Sequence, residues 1–170
     1  MEIRLLRPSD DRSRFRSGVL DLDRFFQKYA GQNQFHHHIG TTYVALEEGQ
    51  IRGFTTIAPG HIEVERLAPA HRKKLPSYPA PILRLARLAV EEASQGRGVG
   101  KQLLRFVLLL SIRMAEDFGC IGIVVDAKPA AVSFYSSFGF MPLDVIEGQS
   151  PIRPQPTAMF LPLNDVRACL

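Results

Sequence analysis

The sequence has few cysteines and no long apolar segment. Its two cysteines, Cys120 and Cys169, stand far apart, and neither belongs to a metal-ligand spacing or a paired redox motif. We therefore expect two reduced thiols in a cytoplasmic protein. No stretch approaches the roughly 20 apolar residues that a membrane span needs. The N-terminus also lacks the basic start, apolar block and cleavage site of a secretory signal, so we expect neither export by that route nor a membrane partner.

Length and composition are those of one globular domain. The chain has 170 residues, of which 45% are hydrophobic and 22% are charged, and this predicts a single domain over residues 1–170. The formal net charge is +4, and arginine supplies most of the cations. This excess favours an anionic ligand, such as a phosphate-bearing cofactor or a nucleic acid. An ordinary basic cytosolic protein would have the same balance, so charge alone does not decide.

The N-terminal half is predicted to contain a helix and three antiparallel strands. The helix covers residues 21–30, with Asp21 as its N-cap. Its apolar face consists of Leu22, Phe25, Phe26 and Tyr29. Residues 41–46 and 51–58 are predicted to form a hairpin, and residues 62–65 a third strand. Residues 69–81 are rich in proline and are predicted to be a surface loop.

The second half alternates strands with helices. The predicted strands cover residues 82–90, 121–126 and 157–163, and the predicted helices cover residues 101–118 and 130–137. The buried stripe of the longer helix consists of Leu104, Val107, Leu108, Ser111, Met114, Ala115 and Phe118. Gly119 is predicted to end that helix. The order of elements predicts a mixed α/β sheet with a glycine-rich loop between a central strand and the long helix.

That loop has the composition of a phosphate-binding turn. It reads Gln95-Gly96-Arg97-Gly98-Val99-Gly100 and is followed by Lys101. The first turn of a helix leaves backbone N–H groups unpaired and carries partial positive charge, so a pyrophosphate is stabilised there. Glycines let the phosphates approach the backbone, and Arg97 and Lys101 add charge. A flexible turn that only caps the helix is the alternative, and the motif is neither a Walker loop nor a Rossmann fingerprint.

This loop resembles the Gln/Arg-x-x-Gly-x-Gly/Ala signature of the GNAT acetyltransferases and stands, as in that family, between a strand and a long amphipathic helix. The resemblance implies the GNAT fold, a mixed central sheet with splayed strands and flanking helices, and acetyl-CoA as co-substrate without a metal. It also implies that the backbone of Leu88, Ala89 and Val90 pairs with the pantetheine arm. The cofactor-binding loop residues it implies are Gln95, Gly96, Arg97, Gly98, Val99, Gly100 and Lys101.

A second segment, residues 130–140, is similar to the Ala-x-x-Phe-Tyr-x-x-x-Gly-Phe element of the same family. In that family the tyrosine lies near the sulfur of coenzyme A, which implies that Tyr135 protonates the departing thiolate. A phenol with a pKa near 10 is a competent donor to such a group. A ring that merely fills the core beside Phe134 and Phe138 is the alternative.

The resemblance extends over most of the chain and is nearest to the toxins that acetylate aminoacyl-tRNA. It rests on residues 15–26, Tyr43-Val44-Ala45, residues 85–90 and Val125-Asp126-Ala127. The sequence departs at Ser17 and Glu91, where relatives often have Cys and Asp. It implies an aminoacyl-tRNA substrate, inhibition of translation and a small ribbon-helix-helix antitoxin as partner. Phosphate contacts would come from basic residues. The main candidates are Arg14, Arg16, Arg72, Lys73 and Lys74, and Arg7, Arg12 and Arg24 near the N-terminus are further candidates.

Several points stay open at this stage. A GNAT enzyme acting on a small amine or a protein N-terminus fits the same motifs, as does a module that binds coenzyme A without catalysis. The acceptor amine must lose a proton, and Glu91 and Glu92 are candidate bases. Three successive histidines, His36 to His38, cannot all face one ion in regular structure, so we expect a polar loop there and no metal. The oligomeric state is open, a homodimer included.

Overall fold

The computed structural model describes residues 1–143 and 156–170, and in this part of the chain seven strands form one sheet in the order β1-β2-β3-β4-β5-β7-β6. The strands are β1 (Glu2–Leu5), β2 (Thr41–Glu47), β3 (Gln50–Ile62), β4 (Ala80–Val90), β5 (Gly122–Ala127), β6 (Met141–Pro142) and β7 (Thr157–Pro162). The α-helices are α1 (Leu20–Arg24), α2 (Ala30–Gln32), α3 (Pro69–Arg72), α4 (Val99–Asp117), α5 (Val132–Ser136) and α6 (Leu163–Ala168). No helix in the described part combines the length and apolarity that crossing a membrane requires.

The chain divides into two compact units, of which the first contains residues 1–58 and 85–107. Here β1 pairs antiparallel with β2, and β2 pairs antiparallel with β3. The predicted hairpin is confirmed, and its tight turn has positive φ angles of 51° at Glu48 and 75° at Gly49. Strand β1 was not predicted, because only four residues pair and an alternating run this short is a weak signal. The third strand predicted at residues 62–65 is wrong, since β3 continues to Ile62 and Val64–Arg66 forms a 3-10 helix.

After α1 the chain continues as alternating π-helical and α-helical segments. Phe25–Tyr29 and Asn33–His37 are π-helical, and α2 lies between them. Phe26 is fully buried and stacks on Phe54 of β3 with ring centroids 4.2 Å apart. The wider π turns change the facing of later residues, so Tyr29 is exposed although the helical periodicity placed it on the buried face. Asp21 is not the N-cap, because the helix begins one residue earlier and Val19 holds the capping position without a side-chain bond.

The second unit contains residues 59–84 and 108–170. Within it the structure describes residues 59–84, 108–143 and 156–170. Strand β5 pairs antiparallel with β7, from Gly122 opposite Pro162 to Ala127 opposite Thr157. The core of this unit consists of Ile62, Val64, Leu67, Ala80, Ile82, Val124, Leu143 and Phe160. The predicted loop at residues 69–81 is wrong at both ends, since α3 begins at Pro69 and β4 begins at Ala80.

The long helix α4 is confirmed with a shift of its ends. Its predicted stripe is buried at Leu104, Val107, Leu108, Ser111 and Met114. Phe118 does not belong to the stripe and is 76% exposed, because the helix ends at Asp117. Gly119 follows with a positive φ of 103°, and its N–H bonds to the Met114 carbonyl at 2.9 Å.

Candidate functional site

The glycine-rich loop of the first unit leads directly into α4. Gly96 and Gly98 have φ angles of 78° and 85°, which favour glycine, and no atom lies within 4 Å of the place a Cβ would occupy at either residue. The first hydrogen bond of the helix runs from the Gln102 N–H to the Gly98 carbonyl at 3.1 Å. The amides of Val99, Gly100 and Lys101 therefore have no partner within the helix. An open loop that ends in unpaired amides fits a diphosphate.

Gln95 makes contacts that its place in the motif does not reveal. Its side-chain amide donates to the Ser17 carbonyl at 2.8 Å and to the Val90 carbonyl at 3.0 Å. Both amide hydrogens are thereby used on the backbone, one on the N-terminal segment and one on the end of β4. The predicted cofactor residue thus holds the loop in place through its side chain.

Arg97 of the loop is engaged by an acidic neighbour. Its Nη2 lies 3.1 Å from a carboxylate oxygen of Glu47 at the end of β2. Glu47 also lies 3.8 Å from Arg52, which in turn bonds to Glu91 at 3.0 Å. The four side chains alternate in charge, so any phosphate at this loop would compete with Glu47 for Arg97. Lys101 is exposed at the start of α4.

Strand β4 ends beside the loop with Leu88, Ala89 and Val90. Ala89 is buried, and Leu88 and Val90 are partly exposed. Gly53 of β3 faces this end of the strand, since a Cβ there would lie 2.9 Å from the Ala89 carbonyl and 3.2 Å from Val99. Sequence reasoning missed Gly53, although a glycine inside a β-rich run signals close backbone approach.

The N-terminal segment beside the loop is held by a buried carboxylate. Asp23 accepts hydrogen bonds from the backbone N–H of Ser17 at 2.8 Å and from its hydroxyl at 2.6 Å. The Arg16 carbonyl accepts from the Glu92 N–H at 2.9 Å, just after β4. Ser17 and Asp23 are both buried, so this polar pair is fully used in fixing the segment.

Tyr135 lies in α5 of the second unit and is 5% exposed. Its ring packs edge-on against Phe134 and Phe140, with centroids 5.1 Å and 5.4 Å away. Burial raises the pKa of the Tyr135 phenol well above its ordinary value, so the group stays protonated at neutral pH. A phenol that keeps its proton can donate a hydrogen bond to a departing thiolate.

The two candidate bases have different surroundings. Glu91 accepts hydrogen bonds from Arg52 at 3.0 Å and from the Ser94 hydroxyl at 3.3 Å. Glu92 is exposed, and one of its carboxylate oxygens would lie 2.8 Å from a Cβ on Gly18. The less engaged carboxylate is therefore Glu92.

The histidine run ends a helical segment and is not a loop. His36 and His37 lie in the π-helical turn, and His38 ends it with a positive φ of 54°. Within residues 1–143 and 156–170, no group of three His, Cys, Asp or Glu side chains is arranged to hold a metal ion.

The basic residues predicted to contact RNA lie on the surfaces of both units. Arg14 and Arg16 are exposed in the first unit, and Arg72, Lys73 and Lys74 are exposed in the second. The bonds of their side chains to described residues go to backbone carbonyls, from Arg16 to Phe15 at 3.0 Å and from Arg72 to Glu65 at 3.2 Å. None of the five forms an ion pair with a described acid, so their charge is available to a polyanion.

Comparison with known proteins identifies a family and a curated relative to which this chain is similar. Residues 38–142 match the family described as the acetyltransferase (GNAT) domain. The chain is 33% identical over 139 residues to the tRNA-acetylating toxin of Mycobacterium tuberculosis, which covers 81% of this chain and 82% of the relative.

Solved structures agree over nearly the full length. The structure of AtaT complexed with acetyl-methionyl-tRNAfMet is similar with a TM-score of 0.82 and 26% identity, over 98% of this chain and 97% of that one. A mutant AtaT toxin bound to the C-terminus of the antitoxin AtaR and to acetyl-CoA has a TM-score of 0.76 and 23% identity, over 98% and 96%. At 23% identity, the similarity to this second structure is evidence for the shared fold alone.

Proposed function

Because the chain belongs to the GNAT acetyltransferase family and is an N-acetyltransferase that uses acetyl-CoA, we propose that its acceptor is the amino group of an aminoacyl-tRNA. Acetylation of that amine would block translation, so the chain would act as a toxin. The observation that carries the proposal is the 33% identity, over 81% of the chain, to a tRNA-acetylating toxin. Support comes from five exposed basic residues that form no ion pair with a described acid, since phosphate contacts dominate affinity for RNA. These residues are Arg14, Arg16, Arg72, Lys73 and Lys74.

In this proposal the loop binds the diphosphate of acetyl-CoA. The backbone amides that begin α4 donate to phosphate oxygens, and Arg97 and Lys101 add charge. The positive φ angles of Gly96 and Gly98 and the open space around them support this role. Gln95 acts as a positioning residue through the Ser17 and Val90 carbonyls. The backbone of Leu88, Ala89 and Val90 pairs with the pantetheine arm.

Transfer is direct and forms no covalent enzyme intermediate. The neutral amine attacks the thioester carbon, the new C–N bond forms, and the C–S bond breaks to release a thiolate. Tyr135 donates its proton to that sulfur, and the nitrogen loses its extra proton to Glu92 or to water. The Tyr135 phenol is protonated at neutral pH, so it holds a proton that can be donated toward the sulfur.

We propose a small antitoxin of the ribbon-helix-helix type as the partner. The support is that the Mycobacterium tuberculosis relative is a toxin and that a similar AtaT toxin was solved with an antitoxin. The cytoplasm, where charged tRNA and acetyl-CoA occur together, is the proposed location. A homodimer is the oligomer we propose to test by light scattering.

The direct test uses labelled acetyl-CoA with charged and uncharged tRNA. We expect label on charged tRNA only, released by mild alkali as the acetylated amino acid, because alkali cleaves the aminoacyl ester. Label on a small amine or a protein N-terminus, with none on charged tRNA, would reject the proposed acceptor and favour an ordinary small-substrate GNAT enzyme. Binding of coenzyme A without any transfer would favour a non-catalytic module.

A further inference from the structure

A groove in the first unit lies outside the loop and strand described above. It has a volume of about 610 Å³, a size common for small-molecule sites. Its walls come from the N-terminal segment and from the helical segment after α1, and none of the lining residues is acidic. The residues that matter here are Arg12, Gly31, Gln32, His36 and His37. We call this the Arg12 groove.

The guanidinium of Arg12 is seated on a glycine. A Cβ on Gly31 would lie 2.9 Å from Nη2 and 3.0 Å from Nη1 of Arg12, so the guanidinium occupies the space that a side chain at residue 31 would need. Gly31 is buried in α2 and has no positive φ that would require glycine. The absent side chain therefore makes room for the arginine.

Arg12 forms no ion pair within the described part of the chain. Its Nη1 is buried and has no hydrogen-bond partner, and no described acid forms an ion pair with it. Asp10 acts on Arg12 electrostatically, but its carboxylate already accepts two bonds of 2.9 Å from Arg4 and one of 2.7 Å from the Arg7 N–H. A buried donor without a partner is destabilising, so an anion that reaches this guanidinium is bound favourably.

Further hydrogen-bond donors surround the guanidinium. His36 and His37 are exposed in the π-helical turn that lines the groove, and His37 Nε2 lies 3.0 Å from the amide nitrogen of Gln32. Imidazole and amide N–H groups donate to phosphate oxygens, and a guanidinium binds them through two parallel bonds. The set combines one guanidinium with two imidazole rings and one amide, and none of the residues that line the groove is acidic.

We propose that the Arg12 groove binds a phosphate group, with Arg12 as the charged anchor and His36 and His37 as neighbouring donors. The phosphate comes either from the backbone of an RNA strand or from a small phosphorylated molecule, because both present the same oxygens. The proposal does not depend on acetyl transfer, since the groove includes none of the residues assigned to acetyl-CoA.

The test follows the imidazole C–H resonances of His36 and His37 by NMR in the full chain without acetyl-CoA. The two probes are inorganic phosphate and a short 5′-phosphorylated RNA, each at fixed ionic strength. We expect saturable shifts, and we expect Arg12→Ala to weaken binding about tenfold, the loss of a hydrogen bond to a charged group. Arg12→Lys should recover part of the affinity, because it restores the charge without the fork.

Gly31→Ala tests the position of the Arg12 guanidinium without removing its charge. The substitution keeps net charge and suits a helix, but its methyl group displaces the guanidinium, so binding should weaken as in Arg12→Ala. Arg113→Ala is the matched control, because it removes one positive charge from an exposed residue of α4 in the second unit. Far-ultraviolet circular dichroism verifies that each variant is folded.

The outcomes separate the sources and decide the proposal. Saturation by both probes supports the groove with RNA as a source, and saturation by inorganic phosphate alone supports it with a small phosphorylated molecule. Absence of saturation with both probes, or equal weakening by Arg113→Ala and Arg12→Ala, would overturn it. A negative result in the tRNA acetylation assay would not change these NMR shifts, so the proposed acceptor and the proposed phosphate site can be rejected independently.

Discussion

The side-chain amide of Gln95 donates a hydrogen bond of 2.8 Å to the backbone carbonyl of Ser17, 78 residues earlier in the chain. The same amide reaches the Val90 carbonyl at 3.0 Å. One side chain thus joins the N-terminal segment, the end of β4 and the glycine-rich loop. We therefore expect Gln95 to affect acetyl-CoA binding through the position of the loop backbone.

Gln95→Ala should weaken acetyl-CoA binding without removing a direct ligand. We expect the KM for acetyl-CoA to rise several-fold with a smaller change in kcat, and the free energy of unfolding to fall by about 1–2 kcal/mol for the lost hydrogen bonds. Hydrogen exchange at residues 15–18 should accelerate, because their anchor is lost. Unchanged exchange with a raised KM would instead assign Gln95 a direct contact with the cofactor.

Glu47→Gln should strengthen acetyl-CoA binding. The substitution releases Arg97 from the 3.1 Å contact and removes a negative charge near the loop. A partly exposed ion pair contributes about 0.2–1 kcal/mol, so the KM should fall about 1.4-fold to fivefold at low salt and less at high salt. Glu48→Gln, at the exposed neighbour, is the control and should have no such effect. Equal KM values for both variants would contradict competition for Arg97.

Gly53→Ala should damage both stability and cofactor binding. Its methyl carbon would lie 2.9 Å from the Ala89 carbonyl and 3.0 Å from Leu103, and backbone must move to relieve the contact. Overpacking of this kind costs about 1–3 kcal/mol, and the shift of Ala89 should raise the KM for acetyl-CoA.

Gly49→Ala provides the control for that substitution. Gly49 has a positive φ of 75° and no atom within 4 Å of the Cβ position, so alanine there causes backbone strain without a contact. We expect a loss of stability on thermal unfolding and an unchanged KM. A raised KM in Gly49→Ala would show that lowered stability alone affects the site.

Tyr135→Phe should lower kcat by about 100-fold or more, the usual contribution of a general acid. The fold should persist, because phenylalanine keeps the edge-on contacts with Phe134 and Phe140. The KM for acetyl-CoA should change little. A variant with wild-type kcat on charged tRNA would remove Tyr135 from the mechanism.

The pH dependence of stability follows from two pKa shifts of opposite direction. Burial raises the pKa of Tyr135, so its contribution is complete below the ordinary pKa near 10 and is lost as pH rises above it. The hydrogen bonds from Arg4 lower the pKa of Asp10, so its contribution is present above the ordinary value near 4 and is lost as pH falls. Thermal unfolding measured as a function of pH checks both shifts. In Tyr135→Phe the unfolding temperature should depend less on pH in the alkaline range, and in Asp10→Asn it should depend less on pH in the acid range.

The family and most central elements could be predicted from local sequence. The glycine spacing of residues 95–100 with a long amphipathic helix behind it predicted the GNAT family, which the match over residues 38–142 confirms. The β2–β3 hairpin, β4, α4, β5 and β7 were predicted because each depends on turn residues or a periodic pattern within a short window. The residue assignments for acetyl-CoA and tRNA, and the single domain, stay predictions.

The remaining features depend on partners far apart in the chain. Short β1 forms only because β2 offers its edge, Gly53 matters only because the Ala89 carbonyl lies against it, and Arg12 is seated only because Gly31 lacks a side chain. Local periodicity contains no information on such pairs, because the two residues of each contact are far apart in the sequence and only the tertiary structure brings them together. Close packing then determines which side chain fits, and hydrogen bonding determines whether Gln95 faces a phosphate or a carbonyl.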